Sequence, residues 1–346
     1  MHDHVPQPSD AGPGPDPREV RELLVLRPGG LRDVVRAVPA LRHLRAAFPD
    51  ARISVAAHRH ASDLLRDCPS VDRVLDLARP SEALVESFDV AVSFANPGDS
   101  SLSVDAVHAA FRAGWSALGE PHRGGMRPRW PARLDETTRM LRLAWLLGGT
   151  MQLDGSLGLW PSLADRNGAA RLVADVTRPL ALVHVGGGSA RRRWSDAGWT
   201  RVVDRLESIG LDPVLVGGSG DVARADAVAS AARHAPLTLV GRTSVGELVG
   251  LLERAALFVG PDSGPAALAE AVGVRSVVIG PASTLEHVVR PGLVDIVDSG
   301  PCPRCGDRAC NHPAPPAAAV GVEPVIARIE LAAMTALDAW RNATIA

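Results

Sequence analysis

Leu23-Leu24-Val25-Leu26-Arg27-Pro28-Gly29-Gly30-Leu31-Arg32-Asp33 decides the fold of the first half of the chain. Four consecutive apolar residues suit a strand buried on both faces of a parallel sheet, where no alternate position has to meet water. Pro28 and the two glycines then turn the chain. Over residues 33–48, Val34, Val38, Leu41 and Leu44 recur at spacings of three and four, which marks the inner face of a helix. Pro49-Asp50 ends it. Further strands are expected at 52–57, 71–75 and 89–94, and their alternation with helices predicts right-handed βαβ units.

Outward from that segment, the length of 346 residues exceeds the roughly 100–200 of one domain, so two domains are expected. Residues 1–20 are rich in Pro, Gly and Asp and predict a disordered tail. A first α/β domain is assigned to 21–165. Within it the pattern loosens over 96–131 into Gly, Pro, Arg and aromatic residues, which reads as a long irregular stretch, and helix returns at 133–147. Buried strands are expected again at 180–185, 213–216, 238–240, 257–259 and 276–279, giving a second α/β domain over 166–320. Residues 321–346 form a closing segment whose amphipathic helix, 324–340, begins at a proline.

Composition narrows the function. The formal charge is -2, which advertises neither nucleic acid nor an anionic membrane surface. Every basic residue of the Lys+Arg count of 37 is arginine, and tyrosine is absent, a bias of coding that also limits the catalytic menu. The start, Met1-His2-Asp3-His4-Val5-Pro6, lacks the basic and apolar regions of a signal peptide. No apolar run reaches the roughly 18 residues of a membrane span. A cytoplasmic protein is expected, with peripheral membrane contact left open.

Chemistry-bearing groups gather where strands end and helices begin, the place where open α/β sheets hold ligands. Asp33 enters the first helix; it reads either as a cap or dipole partner or as a general base. The spacing of the preceding glycines is not Gly-x-Gly-x-x-Gly, so a dinucleotide site loses its support. Val185-Gly186-Gly187-Gly188-Ser189-Ala190-Arg191-Arg192-Arg193-Trp194 follows the first strand of the second domain. Its glycines admit close backbone approach and its guanidinium groups suit a diphosphate, or else simply meet solvent. Val259-Gly260-Pro261-Asp262-Ser263-Gly264-Pro265 places Ser263 and Gly264 at a helix N-terminus, a natural phosphate site, while Asp262 could accept sugar hydroxyls. Either residue could instead only cap the helix. Gly217-Gly218-Ser219-Gly220-Asp221 is a further turn at a strand end, readable as a nucleoside contact or a plain turn. Cys302, Cys305, Cys310 and His312 offer a weak tetrahedral metal set, against free thiols or a loop disulfide.

These motifs, in this order, resemble those of the ADP-heptose heptosyltransferases, glycosyltransferase family 9. The similarity runs from Leu23 to Trp340, through His184-x-Gly186, the arginines before Trp194, Gly217-Gly218, Gly241-Arg242-Thr243-Ser244 and Asp262-Ser263-Gly264-Pro265. The resemblance implies an α/β GT-B fold, two Rossmann-like domains facing a central cleft, with the final helix returning towards the first domain. It implies an inverting transfer of heptose from ADP-heptose, or of a sugar from another nucleotide donor, to a glycan, lipid-linked or natural-product acceptor held by the first domain. Asp33 would be the base, and Arg192 would stabilise the leaving diphosphate. Gly187, Gly188, Ser189, Arg193, Asp221, Thr243, Asp262, Ser263 and Gly264 would hold the donor. No cofactor or metal is implied. Departures from the family pattern are Arg32 directly before Asp33, where a cation could pair with the carboxylate, and Ala267 where a histidine often follows. They keep open a sugar-nucleotide-binding protein of weakened catalysis.

Overall fold

The computed structural model describes residues 14–79, 85–97, 103–117, 124–131, 134–148, 157–187, 193–280, 290, 292–300 and 317–345. The chain divides into two units, 1–160 and 161–346. In the first unit the elements are β1 (Glu22–Leu26), α1 (Leu31–Ala47), β2 (Arg52–Ala57), α2 (Arg59–Leu65), β3 (Arg73–Asp76), β4 (Ser87–Ser93), β5 (His108–Gly114), β6 (Gly125–Met126) and α3 (Glu136–Leu146). Its strands are all parallel, in the order β3-β2-β1-β4-β5-β6. As its sequence requires, β1 lies inside this sheet, with Leu23, Leu24, Val25 and Leu26 wholly buried. Val34, Val38, Leu41 and Leu44 line the buried side of α1.

The second unit contains α4 (Leu163–Leu172), β7 (Leu180–His184), α5 (Asp196–Ser208), β8 (Asp212–Val216), α6 (Val222–Ala231), β9 (Leu237–Thr238), α7 (Val245–Leu252), β10 (Ala255–Pro261), α8 (Gly264–Val272), β11 (Ser276–Gly280), β12 (Val294–Asp298) and α9 (Val322–Ile345). Its sheet is again parallel, in the order β12-β11-β10-β7-β8-β9. Counted from β7, that is the same doubly wound order, 3-2-1-4-5-6, as in the first unit. Each unit is therefore a Rossmann-like α/β layer of its own.

Trp194 and Trp199 meet edge to face, centroids 5.0 Å apart, and are wholly buried. The Trp194 indole N–H donates to the Val320 carbonyl at 2.8 Å, which anchors the segment leading into α9. Val325, Ile329, Ala332 and Ala333 then bury one face of α9 against β10, β11, β12 and α5. Ion pairs from Arg201 to Glu323 and from Arg205 to Glu330 fasten the same helix to α5. No helix among the described residues is long and apolar enough to cross a membrane.

The expected irregular stretch 96–131 is only partly so, because β5 and β6 lie within it. His108-Ala109-Ala110-Phe111-Arg112-Ala113-Gly114 has no β-branched residue and is half exposed at its start, so strand propensity was invisible there. Its backbone pairing with β4 makes it a strand. Similarly, β12 was not anticipated: it lies at the sheet edge, and Val294-Asp295-Ile296-Val297-Asp298 mixes acidic with apolar residues.

Candidate functional site

Each sheet reverses its winding once, between β1 and β4 in the first unit and between β7 and β10 in the second. Crevices at the carboxyl ends of such strand pairs are the standing ligand sites of open α/β sheets. Both candidate constellations fall there.

In the first unit, Arg27 leaves β1 and is 3% exposed. Its Nε donates to the Asp33 carbonyl at 2.8 Å and its Nη1 to the Phe94 carbonyl at 3.3 Å, bridging the ends of β1 and β4. Nη2 forms a short ion pair with Glu136, the first residue of α3, and stands 3.5 Å from Asp33 Oδ1. One buried guanidinium thus joins two carboxylates on two helix N-termini. Burial works against the charge of Glu136, but the Arg27 guanidinium beside it, aided by Arg36 and Arg32, holds its carboxyl below the usual value. Arg27, six residues upstream of Asp33, is a cation against that carboxylate that the sequence did not single out.

Asp33 is the third residue of α1, and its Oδ2 accepts the Gly30 N–H at 2.5 Å. The capping expected of an aspartate here is real, yet it engages only one oxygen, and the side chain keeps 23% of its surface in contact with solvent. Gly29 makes this approach feasible: at φ +108° it occupies backbone space that other residues avoid, and a Cβ there would come within 2.5 Å of the carboxylate.

In the second unit, three strand ends converge on His184, the last residue of β7 and 5% exposed. Its Nδ1 lies 3.0 Å from the Ser263 Oγ, across the junction of β7 and β10. On the other side, Nε2 stands 3.5 Å from the Asp221 Oδ2. The imidazole contact is the main reason the Asp221 carboxyl is held below its usual value, against the opposing effect of burial, with the Gly218 N–H and Arg224 assisting. Ser263 is the N-cap of α8, but its hydroxyl makes no cap bond; it is turned to His184 instead. Asp262 beside it is 5% exposed, and Gly264 opens the helix.

Arg224 frames the glycine-arginine segment from outside. It donates to the Val185 carbonyl at 3.3 Å and to the Trp194 carbonyl at 3.1 Å, so one side chain pins the chain before and after that segment. Gly187 and the exposed Arg193 flank it. Gly188, Ser189 and Arg192 lie outside the described residues, as do Cys302, Cys305, Cys310 and His312. Thr243 sits in the loop after β9, which is tied to the end of β8 by the Gly241 N–H donating to the Gly217 carbonyl at 2.9 Å. Among the described residues there is no group of three or more His, Cys, Asp or Glu able to hold a metal.

Sequence reasoning gave no role to Glu136, His184 or Arg224. A histidine next to the end of the apolar run 180–185 was a usable signal, since a titratable group at the carboxyl end of a buried strand points at a ligand crevice. Glu136 gave none, because an acidic residue opening a helix looks like an ordinary dipole partner.

Gly186 supplies a direct check on this geometry. A Cβ there would lie 2.4 Å from both Asp221 carboxylate oxygens. Gly186→Ala should displace Asp221 from His184 and weaken ligand binding at this crevice by about tenfold, the scale of one hydrogen bond to a charged group. The expected change in melting temperature is small, because Asp221 is 25% exposed and can swing outward. Calorimetric titration beside thermal unfolding reads both quantities, and unaltered binding would mean that Asp221 has no part in the site.

The sequence pattern of glycosyltransferase family 9 (heptosyltransferase) matches residues 82–287, more than half of the chain. The chain belongs to glycosyltransferase family 9. Within that family, it is 34% identical over 108 residues to lipopolysaccharide heptosyltransferase 3 of Escherichia coli strain K12, a stretch covering 30% of this chain and 31% of that protein. The aligned part is thus about a third of the curated relative. Among solved structures, the family 9 glycosyl transferase of Veillonella parvula DSM 2008 superposes with a TM-score of 0.78 at 18% identity, over 91% of this chain and 98% of that one. The E. coli ADP-heptose lipopolysaccharide heptosyltransferase II gives 0.70 at 17% identity, over 91% and 99%. At such identities the likeness is one of fold, and it makes this family 9 chain a GT-B protein of two Rossmann-like α/β domains.

Proposed function

We propose that this family 9 protein is an inverting glycosyltransferase whose donor is a nucleotide sugar, ADP-heptose in the first instance. The observation that carries the donor half is the β7–β10 junction, where the Ser263 hydroxyl is held off its own helix by His184 at the N-terminus of α8. Helix N-termini expose backbone N–H groups that favour phosphate oxygens. Asp33 is the base in this reading. It takes the proton of an acceptor hydroxyl, whose oxygen forms a bond to the anomeric carbon as the bond to the diphosphate breaks. The diphosphate leaves with the electron pair, towards the N-terminus of α8, and Arg192 is assigned the role of neutralising it. One displacement inverts the anomeric centre, and no metal is required.

ADP-heptose as donor is favoured by the motif order and by the names of the relatives above. The acceptor is a glycan, a lipid-linked glycan or a natural product; lipopolysaccharide is what the E. coli relatives are named for. A second reading, a nucleotide-sugar-binding protein without efficient transfer, is favoured by Arg27, whose Nη2 stands 3.5 Å from Asp33 Oδ1 and occupies the carboxylate oxygen that does not cap α1.

Donor class is tested by calorimetric titration of the full chain with ADP-heptose, UDP-glucose, GDP-mannose and a dTDP-sugar, each with and without EDTA. ADP-heptose should bind tightest, and EDTA should leave its affinity unchanged. A preference for another nucleotide would replace the donor, and silence towards all four would remove the glycosyltransferase reading.

A further inference from the structure

The Asp221–His184–Ser263 chain is more elaborate than a phosphate site needs. A serine hydroxyl at a helix N-terminus can bind a phosphate unaided, yet here a buried imidazole fixes it and a carboxylate backs the imidazole. In the neutral ring, the carboxylate facing Nε2 favours the proton on that nitrogen, which leaves Nδ1 as an acceptor. Nδ1 can then only receive the Ser263 O–H. The hydroxyl hydrogen is turned inward, and oxygen lone pairs are presented outward, the wrong polarity for a diphosphate. If the ring takes up one proton, both nitrogens donate: Nε2–H to Asp221 and Nδ1–H to the Ser263 oxygen. The hydroxyl hydrogen is released to turn to the ligand.

Resting on the donor reading above, we propose that His184 is a positioning residue that couples donor binding to uptake of one proton, reversing the polarity of the Ser263 hydroxyl so that it donates to the diphosphate. Among the described residues, the charged and titratable groups around the ring are Asp221, with Arg224 behind it, and Ser263, preceded by the buried Asp262. Two glycines also stand close: Gly260, whose added Cβ would come 3.1 Å from the His184 Cβ, and Gly217, whose added Cβ would come 3.3 Å from the ring. Asp221 would balance the imidazolium charge, so an anion arriving at α8 meets a site that becomes a better donor as it binds. Because linkage is reciprocal, protons and donor then strengthen each other's binding equally.

The experiment is calorimetry of the full chain with ADP-heptose at pH 8, repeated in buffers of different ionisation enthalpy, which reports protons exchanged on binding. The diphosphate of this probe is esterified at both ends and has no proton that titrates near neutrality. Wild type should take up close to one proton, with affinity falling as pH rises. In His184→Asn, which cannot take up a proton, binding should lose its pH dependence and be accompanied by no uptake. His184→Phe should bind weakly at every pH. Binding by wild type without proton uptake, or undiminished uptake in His184→Asn, overturns the coupling and leaves the donor reading intact. No binding of ADP-heptose by wild type at any pH overturns both.

Discussion

Asp33→Asn should lower the transfer rate by about two to four powers of ten, the usual contribution of a positioned general base, while donor affinity and folding stay close to wild type. Asparagine is the informative replacement. Its amide oxygen can still accept the Gly30 N–H that the carboxylate accepts at 2.5 Å, so the start of α1 is preserved. Loss of the charge frees Arg27 Nη2 from one of its two acid neighbours but leaves Glu136 in place, and no buried charge is orphaned. What disappears is the ability to take a proton. Rates are measured with saturating donor and acceptor, beside a melting curve and a donor titration of the same variant. An Asp33→Asn protein transferring at the wild-type rate would show that the carboxylate only caps its helix.

Arg27→Met carries the largest expected effect on stability. The guanidinium side chain is 4% exposed and that of Glu136 13%, so removing the cation takes from a carboxylate in a dry site its bonded partner, with Arg36 and Arg32 left to act on it without that bond. Breaking such a pair from one side costs about 3–5 kcal/mol, which corresponds to a fall in melting temperature of roughly 10 °C for a unit of this size. Arg27→Met with Glu136→Gln should recover most of the loss, because the stranded charge goes as well. The pH dependence has a definite sign. Glu136 has a folded-state pKa below its unfolded value, so the stability it supplies is present above the ordinary carboxylate range and is lost as pH falls through the lower, folded value. Wild type should therefore lose stability on acidification below about pH 4, and the double variant should lose less. A single variant melting within a degree or two of wild type would mean that Glu136 relaxes into water and that the pair does not hold β1, β4, α1 and α3 together.

Much of the fold was written locally. The run 23–26 and the spacing of Val34, Val38, Leu41 and Leu44 define β1 and α1 without outside help, and the strand-end glycines mark where loops must pass close to ligands or carboxylates. The candidate site was legible only as far as single segments carry it. Asp33, Asp262 and Ser263 announce themselves by standing at strand-to-helix turns. Arg27 with Glu136, and His184 with Asp221 and Ser263, do not, because each set is assembled by sheet order: β1 neighbours β4, and β7 neighbours both β8 and β10. Residues more than a hundred positions apart, such as Arg27 and Glu136, share a bond that no local spacing encodes. The strand β5 was missed for the related reason that pairing with β4, and no propensity of its own, makes it a strand.

Sugar transfer is measured most directly by incubating the protein with isotopically labelled ADP-heptose and lipopolysaccharide core lacking its outer heptose, alongside a panel of other glycan acceptors. Products are then followed by mass spectrometry and the anomeric configuration by NMR. Release of ADP should be matched by gain of one labelled heptose on an acceptor, with inversion at the anomeric carbon and with little product from Asp33→Asn. Binding of ADP-heptose without transfer to any acceptor, or transfer with retention, would contradict inverting transfer.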